Sequence, residues 1–163
     1  MRIARRLPFI DLIDLLEFSR IKLDAPGMAW GSGSHPVVGV QSWMIVDSPA
    51  EMLSTSDVLL YSTVDALQQA LLPPEGTGLA FELYAPAKDV EYPSQELRIQ
   101  LVSDPRRTGT LNYGFHYLKV DLAALVQEVS VSADAPKAMF ELVRHVVKSK
   151  VWIDVSLGAM RAP

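Results

Sequence analysis

The stretch EGTGLAFELYAPA, Glu75–Ala87, followed by ELRIQLV, Glu96–Val102, decides the fold class. In the first, Leu79, Phe81 and Leu83 alternate with Ala80, Glu82 and Tyr84; in the second, Leu97, Ile99 and Leu101 alternate with Glu96, Arg98 and Gln100. A period of two belongs to a strand with one buried and one wet face. The residues between them, APAKDVEYPS, favour a turn, so the two strands are expected to form a hairpin-like pair. The alternation also takes Glu82 out of the core and onto a sheet face, where Arg98 is an expected cross-strand partner.

Working outward, VVGVQSWMIV (Val37–Val46) and DVLLYS (Asp57–Ser62) have strand composition. TLNYGFHYLKV (Thr110–Val120) sets Leu111, Tyr113, Phe115 and Tyr117 on one face, a further strand pattern. Helical spacing enters at the N-terminal side, where Phe9, Leu12, Ile13, Leu16 and Phe18 form a stripe beginning near Pro8 and running to residue 20. Ser62-Thr63-Val64-Asp65 resembles a capping box before a short helix stopped by Pro73 and Pro74. DLAALVQEVSVS reads as a short helix passing into a strand. The main helix is expected over 134–149, with Asp134 as its cap and Met139, Phe140, Val143, Val146 and Val147 at helical spacing. A last strand is expected over 151–157, with Val151, Ile153, Val155 and Leu157 on one face.

Together these elements predict an α+β protein, a mostly antiparallel β-sheet with helices packed on one face, in a single domain whose sheet-rich part spans 37–120. With 163 residues the chain is long enough to build a proper core. Fifteen Lys and Arg against nineteen Asp and Glu give a net charge of -4, which argues against nucleic acid as a partner, because phosphate binding draws on a basic excess or a clustered basic face. Cysteine is absent, so thiolate chemistry and Cys-based metal sites are excluded and a cytoplasmic location is expected. Arg2, Arg5 and Arg6 precede an apolar run as in a signal peptide, but Asp11, Asp14 and Glu17 interrupt that run. No stretch has the length of a membrane span.

Candidate chemistry is sparse. GSGSH, Gly31–His35, has neither the spacing of a phosphate-binding loop nor that of a nucleophile elbow. The histidines, His35, His116 and His145, lack helical metal-ligand spacing, so neither a metal nor another cofactor is expected. Glu82 needs a partner group and an enclosed site to act as a general acid or base; in the alternative reading Arg98 and His116 form a sheet-face pocket with it. Asp11, Asp14 and Glu17 share one flank of the first helix, either as a solvated face or as a surface for a basic partner.

The segment Asp57–Ala87 resembles the middle of suppressor-of-fused-like domains, through Tyr61, Ser62, Asp65, Gly76, Gly78, Glu82 and Leu83, and MFELVRHVVKS, Met139–Ser149, looks like the family's following helix. The resemblance covers about half the chain. It implies a non-enzymatic bacterial immunity protein that neutralises a cognate toxin by occluding it. Glu82, Tyr84, Trp30, Trp43, Tyr92, Asp11, Asp14 and Glu17 are then the expected contact residues, aromatics supplying anchors and acids the charge complementarity. A small enzyme or small-molecule binder and a chaperone-like accessory protein, with self-association into a homodimer, are the competing expectations.

Overall fold

A computed structural model describes residues 1–26, 36–46, 57–85, 95–103 and 117–158. In chain order the elements are β1 (Arg2–Pro8), α1 (Phe9–Phe18), β2 (Arg20–Lys22), β3 (Val37–Ile45), β4 (Asp57–Thr63), α2 (Val64–Ala70) and β5 (Leu71–Leu72). There follow β6 (Thr77–Tyr84), β7 (Glu96–Ser103), β8 (Tyr117–Val120), α3 (Leu122–Leu125), β9 (Glu128–Val131), α4 (Lys137–Val151) and β10 (Val155–Leu157). The fold is α+β, as the alternating segments predict. A seven-stranded sheet runs β10-β9-β4-β1-β3-β7-β6, and a three-stranded sheet runs β2-β8-β5. Among the described pairings only β9 and β10 lie parallel.

Strand alternation sorts the large sheet into two faces. Ile3 and Leu7 of β1, Trp43 of β3, Val58 and Leu60 of β4, Leu97, Ile99 and Leu101 of β7, and Val129 and Val131 of β9 point into one apolar core. The same core takes Leu12, Leu15 and Leu16 from α1, Leu67 and Ala70 from α2, Leu125 from α3, and Val143 and Val147 from α4. The four described helices therefore cover one face of the sheet. The inward residues of the small sheet, Ile21, Leu71, Leu118 and Val120, join that core. On the reverse face Ala4, Val46, Leu59 and Tyr61 form a separate buried cluster. There the Arg2 guanidinium lies 4.4 Å from the Tyr61 ring centroid and binds Glu128 at 2.6 Å.

Local chemistry accounts for the helix boundaries. Thr63 caps α2, its hydroxyl accepting from the Ala66 amide at 3.2 Å, so the capping residue is the second of the expected Ser-Thr pair. Asp121 accepts from the amides of Ala123 and Ala124 to start α3. Lys148 and Lys150 close α4 on the negative end of its dipole, and Lys150 also reaches Glu17 of α1 at 3.1 Å.

Four sequence expectations are corrected. Residues 2–8, read as the approach to a helix, form the central strand, and the helix itself occupies Phe9–Phe18; Arg5 stands where an apolar residue would have marked the alternation. The α1 stripe also turns, burying Leu12, Leu15 and Leu16 while Phe18 is 64% exposed. The main helix starts at Lys137 without a side-chain cap from Asp134 and continues to Val151. Trp152 then ends it in a left-handed conformation, φ 54°, so the last strand begins only at Val155. The inward–outward alternation itself holds from Val151 to Val155, with Val151 and Ile153 against the core and Trp152 88% exposed, and fails at Leu157, which is 56% exposed.

Candidate functional site

The β6–β7 pair sets Glu82 opposite Arg98 and Tyr84 opposite Glu96, the register the alternation implies. Among the described residues Glu82 and Arg98 do not form the expected ion pair with each other. The Arg98 guanidinium lies over the Tyr84 ring, 3.3 Å from its centroid, with Nε 3.8 Å from Glu96. Glu82 takes a long hydrogen bond, 3.5 Å, from the diagonally placed Gln100. A guanidinium on an aromatic face keeps its charge while covering apolar surface, and that leaves the Glu82 carboxylate exposed. Among the described strands β6 is the edge of the sheet, and Leu83, the residue expected to face inward, is 61% exposed.

Gly76 and Gly78, ahead of this strand, do different work. Gly76 turns the chain into β6 with φ 78°, a conformation that side chains resist. A Cβ on Gly78 would meet nothing within 4 Å.

The acids of α1 do not make one surface. Asp14 receives Nε and Nη2 of Arg20 at 3.0 and 2.7 Å, and this hydrogen-bonded pairing holds its carboxyl below the usual carboxylate range while raising the guanidinium's affinity for its proton. Glu17 is turned to Lys150, and Asp11 lines a cleft beside α1. The Arg20 guanidinium is further held between two rings, 4.6 Å from the Phe18 centroid and 3.8 Å from that of Tyr117. Phe18 and Tyr117 stand between this cleft and a second hollow lined by Arg20, Leu72, Pro73, Pro74 and Lys119.

The first cleft has a volume of about 270 Å³ and runs from α1 and β2 down to β1 and β3. Its floor holds two satisfied polar groups: the Trp43 indole donates to the Gln41 side-chain oxygen at 2.7 Å, and the Gln41 amide donates to the Lys22 carbonyl at 3.0 Å. Trp43 is 0% exposed, which corrects its expected role as a contact anchor: its indole is spent inside the fold. Arg5 also lines the cleft. Burial lowers the pKa of its guanidinium, and the charges of Asp24 and then Asp11 act in the opposite sense. Sequence reasoning missed this residue. Its signal is an arginine in the inward phase of a strand, between Ile3 and Leu7.

Neither cleft is lined by Glu82 or Arg98, so the two lie on a sheet face rather than in a described pocket. Trp30, Tyr92 and His116 lie outside the described residues. Among the described residues no group of three or more His, Cys, Asp or Glu side chains is placed to hold a metal ion. Among them, too, no helix is long and apolar enough to cross a membrane. No family model, curated protein or solved structure matches the chain.

Proposed function

We propose that this protein acts by binding another protein, as a cytoplasmic immunity protein that occludes a cognate bacterial toxin. The observation that carries this reading is the outer edge of the large sheet, where β6 presents Leu83 at 61% and Tyr84 at 37% exposure beside the exposed Glu82 carboxylate. An exposed edge strand offers unpaired main-chain groups for strand addition. Its apolar and aromatic side chains supply anchors, and an exposed carboxylate favours a basic partner. The resemblance of Asp57–Ala87 to suppressor-of-fused-like domains supports the same reading, since its Gly76, Gly78, Glu82 and Leu83 are the turn into this strand and its exposed end.

Occlusion requires no chemistry from the chain itself. The β6 edge would pair with an extended segment of the toxin, Tyr84 and Leu83 would be covered, and Glu82 would face a basic side chain. The test is co-expression with the product of the reading frame beside its own, together with a binding measurement on the purified pair. Protection and a stable complex are expected, both weakened by Leu83→Lys and by Glu82→Lys. An absence of both binding and protection would falsify the reading.

A further inference from the structure

We propose that the Arg5 cleft is a binding site for a small, singly charged carboxylic acid, its carboxylate on the Arg5 guanidinium and its apolar body against Ile10, Ile13 and Phe18. This goes beyond the protein-binding reading and is independent of it, because the cleft lies on the helix-covered face and not at the β6 edge.

Three observations converge on it. The first is the placement of Arg5 on the central strand. It occupies an inward position between Ile3 at 0% and Leu7 at 7% exposure, where packing alone calls for an apolar side chain. Departures from that pattern concentrate at functional sites.

The second is the state of its donors. A guanidinium carries five N–H groups, and the hydrogen bond this one makes among the described residues goes to the Ser42 carbonyl, at a long 3.4 Å. Asp24 and Asp11 act on it through charge without forming an ion pair among the described residues. The neighbouring polar groups, Gln41 and Trp43, satisfy each other and Lys22. Arg5 is thus the polar group of the floor with donors left to give.

The third is the shape and charge of the space. At about 270 Å³ the cleft is just below the lower end of ordinary ligand pockets, ~300 Å³, which suits a small ligand. The planar fork of Arg matches a carboxylate in two parallel hydrogen bonds. Asp11 on the same wall repels a multiply charged anion such as phosphate more strongly than a singly charged one.

Titration calorimetry of the full chain with benzoate, phenylacetate and hexanoate tests the site, with benzyl alcohol and inorganic phosphate as controls. At least one acid is expected to bind saturably. The alcohol should bind at least about tenfold more weakly, since hydrogen bonds to a charged group are the stronger ones, and phosphate should not compete. Arg5→Met should abolish acid binding. If that variant does not fold, Ile10→Trp, a change at a position that is 70% exposed on the cleft wall, decides by blocking the space. The proposal is overturned if no acid binds at millimolar concentration, if alcohol or phosphate binds as well as the acids, or if the deciding variant binds acid like the parent.

Discussion

Asp14 holds Arg20 through two hydrogen bonds, 3.0 and 2.7 Å, and the guanidinium so fixed lies between the rings of Phe18 and Tyr117. One carboxylate thus orders the aromatic wall shared by both clefts. The Asp14 pKa is lowered, first by this hydrogen bonding. Its contribution to stability is therefore fully present above the unfolded Asp value, about 3.9, and is lost as pH falls through the lower folded value. Thermal melts should show the parent more stable than Asp14→Asn at neutral pH, with the gap closing as pH drops below about 4. A constant gap down to strongly acidic pH would contradict this.

Trp43 and Gln41 form a buried donor–acceptor pair at 2.7 Å. Trp43→Phe strands the Gln41 oxygen and is expected to cost about 2–4 kcal/mol from the lost hydrogen bond and the space left behind. Adding Gln41→Leu should recover part of that loss, so the double variant is less than additive. Chemical denaturation of the four proteins measures the coupling.

Tyr84 is exposed, yet it carries the Arg98 guanidinium at 3.3 Å. Tyr84→Phe keeps the ring and should leave stability unchanged, whereas Tyr84→Ala should cost about 0.5–1 kcal/mol. Glu82→Gln should move stability by no more than about 0.5 kcal/mol, as expected for an exposed site, so any effect it has on partner binding is a direct one.

Gly76 and Gly78 should respond in opposite ways to alanine. At φ 78° Gly76→Ala is strained and expected to cost about 1 kcal/mol or more. Gly78 sits in a strand with open space at its Cβ position, so Gly78→Ala should be neutral or stabilise by up to about 1 kcal/mol. Denaturation midpoints compare the two directly.

The fold class was legible because β7 alternates without interruption, Leu97, Ile99, Leu101 and Ser103 buried and the residues between them half-exposed. α4 was legible in outline for the same reason, Val143 and Val147 being one turn apart and buried. β1 was hidden because local pattern describes burial by type, and Arg5 puts a charge into a buried phase. The same substitution concealed the cleft. Glu82 and Tyr84 were placed on their face correctly from period alone, but exposure at a sheet edge depends on which strand lies outermost, and that is a tertiary fact. Trp43 illustrates the converse: an aromatic residue looks the same in sequence whether its indole faces a partner or a buried glutamine. The acids of α1 share a flank by spacing, yet Arg20 and Lys150, six and 133 residues away from their partners, divide them.

The central place of β1 has a kinetic consequence. It is flanked by β4 and β3, and β4 must in turn receive β9, whose first residue pairs with Tyr61 across 67 positions of chain. The sheet therefore cannot be completed by local hairpins beyond the β6–β7 pair; its middle closes through long loops, each with an entropic cost met before the contacts form. Refolding should fall in the slow range of non-local β topologies, milliseconds to seconds. Until β4 and β3 have both docked, the residues that frame the Arg5 cleft have no common scaffold.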